Sequence, residues 1–192
     1  MLSPNLLLSA YAQGVFPMAH EDGQIYWYDP DPRAILPLNA LHIPRRLKQR
    51  INRKPFEIRY DFAFRQVMQA CAETTKNRAS TWIDDNILES YTLLHQLGFA
   101  HSVEAWQDDK LVGGLYGVSL RGLFAGESMF HRATDASKIC LVYLVERLNA
   151  QGFQLLDVQF QTPHLSKFGV TEISREMYRE ELEQALLADV KF

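Results

Sequence analysis

The sequence is poor in the features that mark secreted, membrane-bound or metal-dependent proteins. It has only two cysteines, Cys71 and Cys140, far apart and both set in helix-like apolar patterns. Such a pair points to buried thiols in a reducing compartment, and it is too few for a zinc ribbon. No apolar run approaches the roughly 20 residues that a membrane helix needs, so a soluble, cytoplasmic protein with no membrane partner is expected. The opening MLSPNLLLSAYAQGVFPM has neither a basic leader nor a small-residue cleavage site and does not read as a signal peptide. Low-complexity tracts and internal repeats are missing. With 47% hydrophobic and 22% charged residues among 192, the chain can bury a substantial core.

Familiar catalytic signatures are missing as well. The six histidines form no HExxH or paired i, i+4 arrangement, so no metal is expected. Ser119 and Ser128 lack the flanking glycines of a GxSxG elbow. The glycines of VGGLYG precede a period-two pattern rather than a helix, which excludes a dinucleotide loop.

What the sequence does have is an uneven charge. The net charge is −3, yet Pro44 to Arg65 carries eight basic residues, Arg45, Arg46, Lys48, Arg50, Arg53, Lys54, Arg59 and Arg65, against Glu57 and Asp61. A segment of +6 on a body of −9 is either a phosphate-binding face or a solvated helix face.

Periodicity and punctuation predict helices over 5–13 and 44–51, a strand at 25–28 and another at 56–60. Asp61 and Asp84 are placed to cap helices that run through Ala72 and Leu97, and Gly98 stops the second. HSVEAWQ, KLVGGLYGVSL and LFAGESMFH follow as an antiparallel meander. A helix opened by Asp135, a strand QLLDVQF and a last helix over 174–188 complete the order. The β–helix–β unit should cross over right-handed and set its strands parallel. The pattern is an α/β (α+β) layered domain on a mixed sheet, and it resembles the superfamily of acetyl-CoA-dependent N-acetyltransferases, a GNAT-like fold. Residues 1–60 are expected to form a small N-terminal domain, and residues 61–192 the catalytic one. At the place where those enzymes cradle pyrophosphate stands HRATDASK, without a glycine, which disfavours an acyl-CoA donor.

Two strands carry the candidate chemistry. Alternation in LFAGESMF puts Leu123, Ala125, Glu127 and Met129 on one face, so a carboxylate sits among apolar neighbours. In LLDVQF, Asp157 and Gln159 share a face. If the strands are neighbours, Glu127, Asp157 and Gln159 converge on one cleft; the alternative is a structural network in which Glu127 pairs with Arg132 or Lys138. Aromatics crowd the same region: Tyr11, Trp27, Tyr28, Trp82, Tyr91, Trp106, Tyr116 and Phe124.

The runs GVFPM, WYDPDPRAILPL, LHIPRRLK, TWI, GFAHSVEAW, LVGGLYGVSLRGLFAGESMF, DASK and LLDVQ together resemble the leucyl/phenylalanyl-tRNA–protein transferases over nearly the whole chain. The resemblance implies transfer of leucine or phenylalanine, with methionine as a further candidate, from aminoacyl-tRNA to the N-terminal Arg or Lys of acceptor proteins. That forms a peptide bond and marks the acceptor for degradation. It implies a monomer without cofactor. Asp157, acting through Gln159, would draw the proton from the attacking amine, and Glu127 would hold a substrate ammonium. Leu115, Phe124 and Leu141 would line an apolar amino-acid pocket, with Tyr11, Trp82 and Tyr91 near the terminal adenosine. Arg45, Arg46, Lys48, Arg50, Arg53 and Lys54 would grip tRNA phosphates. The chain departs from the family pattern at Met18, where tryptophan is usual, and at HLSKFG, where Lys167 replaces a serine. A catalytically inactive tRNA-binding module and a small-molecule N-acyltransferase are the competing readings.

Overall fold

The computed structural model describes residues 1–20, 22–74 and 80–192. In chain order the elements are α1 (Pro4–Ala12), β1 (Phe16–Ala19), β2 (Ile25–Tyr28), β3 (Arg33–Ile35), α2 (Arg45–Asn52), β4 (Glu57–Tyr60), α3 (Phe64–Ala72), α4 (Asp85–Gln96), β5 (Ala100–Gln107), β6 (Lys110–Leu120), β7 (Leu123–His131), α5 (Ala136–Gln151), β8 (Leu155–Gln159), a 3-10 turn (Leu165–Phe168), β9 (Thr171–Ile173) and α6 (Arg175–Ala185). Among the described residues no helix is long and apolar enough to cross a membrane.

Seven strands form one mixed sheet in the order β4-β5-β6-β7-β8-β3-β9, and β1 pairs with β2 in a separate hairpin. The meander β5–β6–β7 is antiparallel, and the crossover through α5 sets β8 parallel to β7. Residues 33–60 therefore do not belong to a separate unit. β3 lies inside the sheet between β8 and β9, and β4 forms its edge, so a division at residue 60 cuts through the sheet. Sequence alone hid this because three-residue strands such as β3 and β9 are too short to show a period.

The sheet carries a core on each face. Phe64, Val67, Met68, Ile87, Tyr91 and Tyr116 belong to the side packed by α1, α3 and α4. Leu115, Phe124, Ile139, Leu141 and Val145 belong to the side covered by α5. The fit is close: a Cβ added at Gly113 would collide with Ala136 Cβ at the start of α5. Cys71 and Cys140 are buried in opposite cores and so are not bonded to each other.

Helix starts partly follow the expected caps. Asp84 accepts from Ile87 N at 2.8 Å, as a capping residue does. Asp61 does not cap α3; its carboxylate accepts from Ser102 N and meets the His101 ring, each at 2.8 Å. The Ala63 N–H at the start of α3 is served instead by Glu104 at 2.7 Å, a fully buried carboxylate that also receives Ser102 Oγ and Trp106 Nε1. Asp135 opens α5 without a side-chain cap bond and holds Lys138 Nζ at 2.6 Å.

Candidate active site

Two backbone irregularities create the cleft. In the β6–β7 pairing Tyr116 faces Ser128 and Gly117 faces Gly126, which leaves Glu127 as an extra residue in a β-bulge. The bulge flips the side-chain parity of β7. Before it Phe124 faces the α5 core and Ala125 the other; after it Met129 faces the α5 core and Phe130 the other. Simple alternation, which would have kept Glu127 in step with Ala125 and Met129, therefore breaks at this residue. The second irregularity is between β7 and β8, whose pairing ends at Ala125 opposite Asp157. Beyond that point the strands part, and cavities open between Gly126–Met129 on one strand and Val158–Gln159 on the other.

Asp157 sits at the closed end of this wedge and is fully buried. Arg33, 1% exposed, donates to it through Nε at 3.0 Å and Nη2 at 2.6 Å. Tyr178 Oη adds a third donor at 2.9 Å, and the Gln159 backbone N–H a fourth at 2.8 Å. Arg33 also donates to Gly14 O at 2.9 Å and lies over the Phe16 and Tyr178 rings, so the cation is paired on every side. Both oxygens of Asp157 are engaged by these four donors. Asp157 therefore meets the cleft through Gln159, whose backbone N–H it holds.

Gln159 adopts a left-handed backbone, φ 65°, which a β-strand residue does not take unless something holds it there. The bond from its N–H to Asp157 does so, and the turn sends its side-chain amide to Glu127 Oε1 at 3.1 Å. Tyr11 Oη donates to the same oxygen at 2.7 Å and is itself hydrogen-bonded to Tyr91 Oη. Glu127 thus converges with Gln159 and Asp157 and pairs with neither Arg132, which bonds Glu73, nor Lys138. Its carboxyl is partly exposed to the cleft but otherwise enclosed by apolar walls. Burial pushes its pKa up to about 8, the Tyr11 bond pulls it down, and the Asp157 charge pushes it up.

Glu127 lines two cavities. One, of about 400 Å³, has walls of Leu115, Met129, Leu141, Leu144, Leu156 and Val158, with Ser128, His131, Ser137, Thr162 and His164 as its polar contribution. The other, of about 210 Å³, lies among Phe16, Pro17, Met18, Trp82, Gln159 and Phe160. The site thus offers an apolar chamber and an aromatic one joined at a carboxyl whose pKa burial pushes up to about 8.

Residues 35–183 match the family profile of the leucyl/phenylalanyl-tRNA protein transferase, and residues 1–31 match that of its N-terminal domain. A leucyl/phenylalanyl-tRNA–protein transferase of Herpetosiphon aurantiacus is 60% identical over 100% of this chain and 98% of its own. One of Hyphomonas neptunium is 53% identical over 98% of this chain and 74% of its own. The chain belongs to the leucyl/phenylalanyl-tRNA–protein transferase family. It is an aminoacyltransferase that transfers leucine or phenylalanine from aminoacyl-tRNA to N-terminal Arg or Lys of proteins. Among solved structures, an N-acetyltransferase of Thermoplasma acidophilum in complex with coenzyme A aligns at a TM-score of 0.38 with 11% identity, covering 50% of this chain and 75% of that one. So loose a likeness says nothing of the chemistry.

The residues that the transferase resemblance singled out divide into groups. Leu115 and Leu141 line the apolar chamber, and Trp82 lines the aromatic one beside Met18. Phe124 does not line either cavity; it is fully buried in the α5 core against Phe192. Tyr11 and Tyr91 are buried hydroxyl partners beneath Glu127 rather than open stacking surfaces. Trp27 is exposed on the β1–β2 hairpin, and Trp106 packs under the Arg59 guanidinium, both outside the cleft. On α2, Arg45, Arg46 and Lys48 are exposed, as are Arg53 and Lys54 just beyond it, and among the described residues none of the five forms an ion pair. Arg50 is half-buried, 4.0 Å from Asp135.

Arg33 and Tyr178 were missed as site residues. For Arg33 a signal existed, since an arginine inside the apolar stretch PRAIL must find a buried partner. Tyr178 carried no signal: it reaches Asp157 from a charged helix whose pattern reads as surface.

Proposed function

We propose that the two cavities meeting at Glu127 seat the donor's amino-acid side chain and its terminal adenosine, so that the ester lies beside Glu127, and that Glu127 rather than Asp157 takes the proton of the attacking amine. The observation that carries this is the position of a carboxyl with a pKa of about 8 at the junction of the cavities. An α-amine also has a pKa of roughly 8. An incoming ammonium can therefore meet the ionised carboxylate and hand it a proton with little change in free energy, leaving a neutral amine beside a neutral acid in apolar surroundings.

The freed amine attacks the ester carbonyl carbon of the aminoacyl group, forming the C–N bond. Collapse of the tetrahedral intermediate breaks the bond from that carbon to the ribose oxygen, which leaves with the second proton from nitrogen. The ester stores the driving force, so no ATP enters. Alignment of the two substrates supplies up to about 7–11 kcal/mol of barrier reduction. Gln159 and Tyr11 hold the Glu127 carboxylate in place, and Asp157 acts through Gln159 as a positioning residue.

The apolar chamber suits leucine and phenylalanine and takes methionine as well, because one methylene shifts discrimination by only about 1–3 kcal/mol. Trp82 and Met18 flank the terminal adenosine, and the exposed cations of α2 grip acceptor-stem phosphates without reading bases. On this reading the chain acts as a monomer, in the cytoplasm where charged tRNA is found. The test is incubation with labelled Leu-tRNA and peptides that begin with Arg or with Gly. Label should enter the first alone; equal labelling, or none, overturns the reading.

A further inference from the structure

We propose that the cationic side chains around the mouth of the apolar chamber form a track for the phosphodiesters of the donor's single-stranded end, continuous with α2; this rests on the reading of that chamber as the donor amino-acid site. Exposure places the mouth at His131 and Thr162, with His164 beside them. Three elements meet there. The segment leading into α2 is tied to the 3-10 turn by His42 N donating to Phe168 O at 2.9 Å. The start of α5 faces α2 through Asp135, whose carboxylate lies 2.6 Å from Lys138 Nζ and 4.0 Å from Arg50 Nε. Lys167 projects from the 3-10 turn, exposed and without an ion pair among the described residues.

Two atoms at this junction are shielded from water and lack a hydrogen-bond partner, Arg50 Nε and His164 Nε2. Buried polar atoms left unpaired are rare, because each forfeits its hydration without compensation. Both would gain a partner if their side chains, which are not fully buried, turned toward an anion at the mouth. Among the described residues Asp135 is the ion-pair partner of both Arg50 and Lys138 and Lys167 has none, while burial first, and then Lys138, His131 and Lys167, depress the pKa of His164. Thr162 and Leu165 line both cavities, so a donor with its amino acid in the apolar chamber and its adenosine between Trp82 and Met18 carries its ribose past Thr162, and the adjoining phosphates fall on these residues before reaching Arg45, Arg46 and Lys48. Such contacts position a strand and carry no sequence information.

The test combines Lys138→Gln with Lys167→Gln and uses Arg121→Gln, in the β6–β7 turn at the other end of β7, as control. Binding of uncharged tRNA is measured across a salt series, and transfer is measured from Leu-tRNA and from 3′-O-leucyl-adenosine, which has no phosphate. The double variant should bind tRNA about five- to twentyfold more weakly at low salt. Its log–log salt slope should be shallower by about 1.4, as two lost single-strand contacts require. Its KM for leucyl-adenosine should match that of the unsubstituted chain, and Arg121→Gln should change nothing. An unaltered slope and affinity, or an equal loss with the phosphate-free donor, overturns the track. If tRNA binding weakens as expected while the unsubstituted chain transfers leucine to no acceptor, the track stands and the reaction assigned to the chamber falls.

Discussion

The Arg33 guanidinium lies along both carboxylate oxygens of Asp157, at 3.0 and 2.6 Å, and neither residue is more than 1% exposed. An acidic residue beside a cleft invites assignment as a base, but this one already has four donors. Its energetic importance lies in the pair. Asp157→Ala would strand a buried cation, and breaking a buried pair from one side costs about 3–5 kcal/mol. A large drop in denaturation midpoint is expected, with activity lost through Gln159. Asp157→Asn keeps an acceptor for the Gln159 N–H and should recover much of the transfer rate that Ala loses, measured at a temperature where both variants are folded.

Glu127 links activity to stability in the opposite sense. Its carboxyl is raised from 4.5 to about 8 in the folded chain, so the native state binds this proton more tightly than the unfolded state does. The contribution to stability is complete below pH 4.5 and is lost progressively as pH rises toward 8. Glu127→Gln has no such loss. Relative to the unsubstituted chain it should therefore gain stability as pH rises through that window, by on the order of 2 kcal/mol once screening at its partly exposed carboxyl is discounted. Melting curves from pH 5 to 9 check this; a gap between the two proteins that does not vary with pH would refute the raised carboxyl.

The chamber walls make a specificity prediction that separates Phe124 from Leu141. Phe124→Ala should destabilise by about 3–5 kcal/mol, as loss of a core ring does, and leave the leucine-to-valine ratio of kcat/KM unchanged. Leu141→Ala enlarges the chamber itself and should shift kcat/KM toward phenylalanine over leucine by about tenfold. Paired assays with the three charged tRNAs distinguish the two roles.

Neutralising Arg45, Arg46 and Lys48 together removes charges that pair with nothing in the described structure. Apparent affinity for charged tRNA should fall, and the log–log salt slope should flatten by about 2.7 if all three meet duplex phosphates. Turnover at saturating donor should persist.

Much of the architecture was legible because it rests on long periodic segments. The meander over 100–131, the crossover helix opened after Asp135 and the strand carrying LLDVQ all leave a clear period-two or helical pattern, and the structure has them. Convergence of Glu127 with Asp157 and Gln159 followed from those strands being neighbours. What the pattern concealed was local. The bulge at Glu127 adds one residue and reverses parity, so alternation could not show which way Met129 or Phe130 points. The role of Asp157 depends on Arg33, 124 positions away in sequence, arriving on a three-residue strand. Phe124 matched a pocket position by resemblance, yet side-chain direction on β7 sends it into the core.

The central claim is that Glu127 moves the proton while Asp157 only holds the scaffold. Its most direct test is single-turnover transfer of labelled leucine from Leu-tRNA to an Arg-starting peptide by Glu127→Gln and Asp157→Asn, side by side with the unsubstituted chain at saturating donor. The account predicts a rate loss of about 10²–10⁴-fold for Glu127→Gln and a loss within about tenfold for Asp157→Asn. A near-normal rate in Glu127→Gln, or the larger loss in Asp157→Asn, would contradict it.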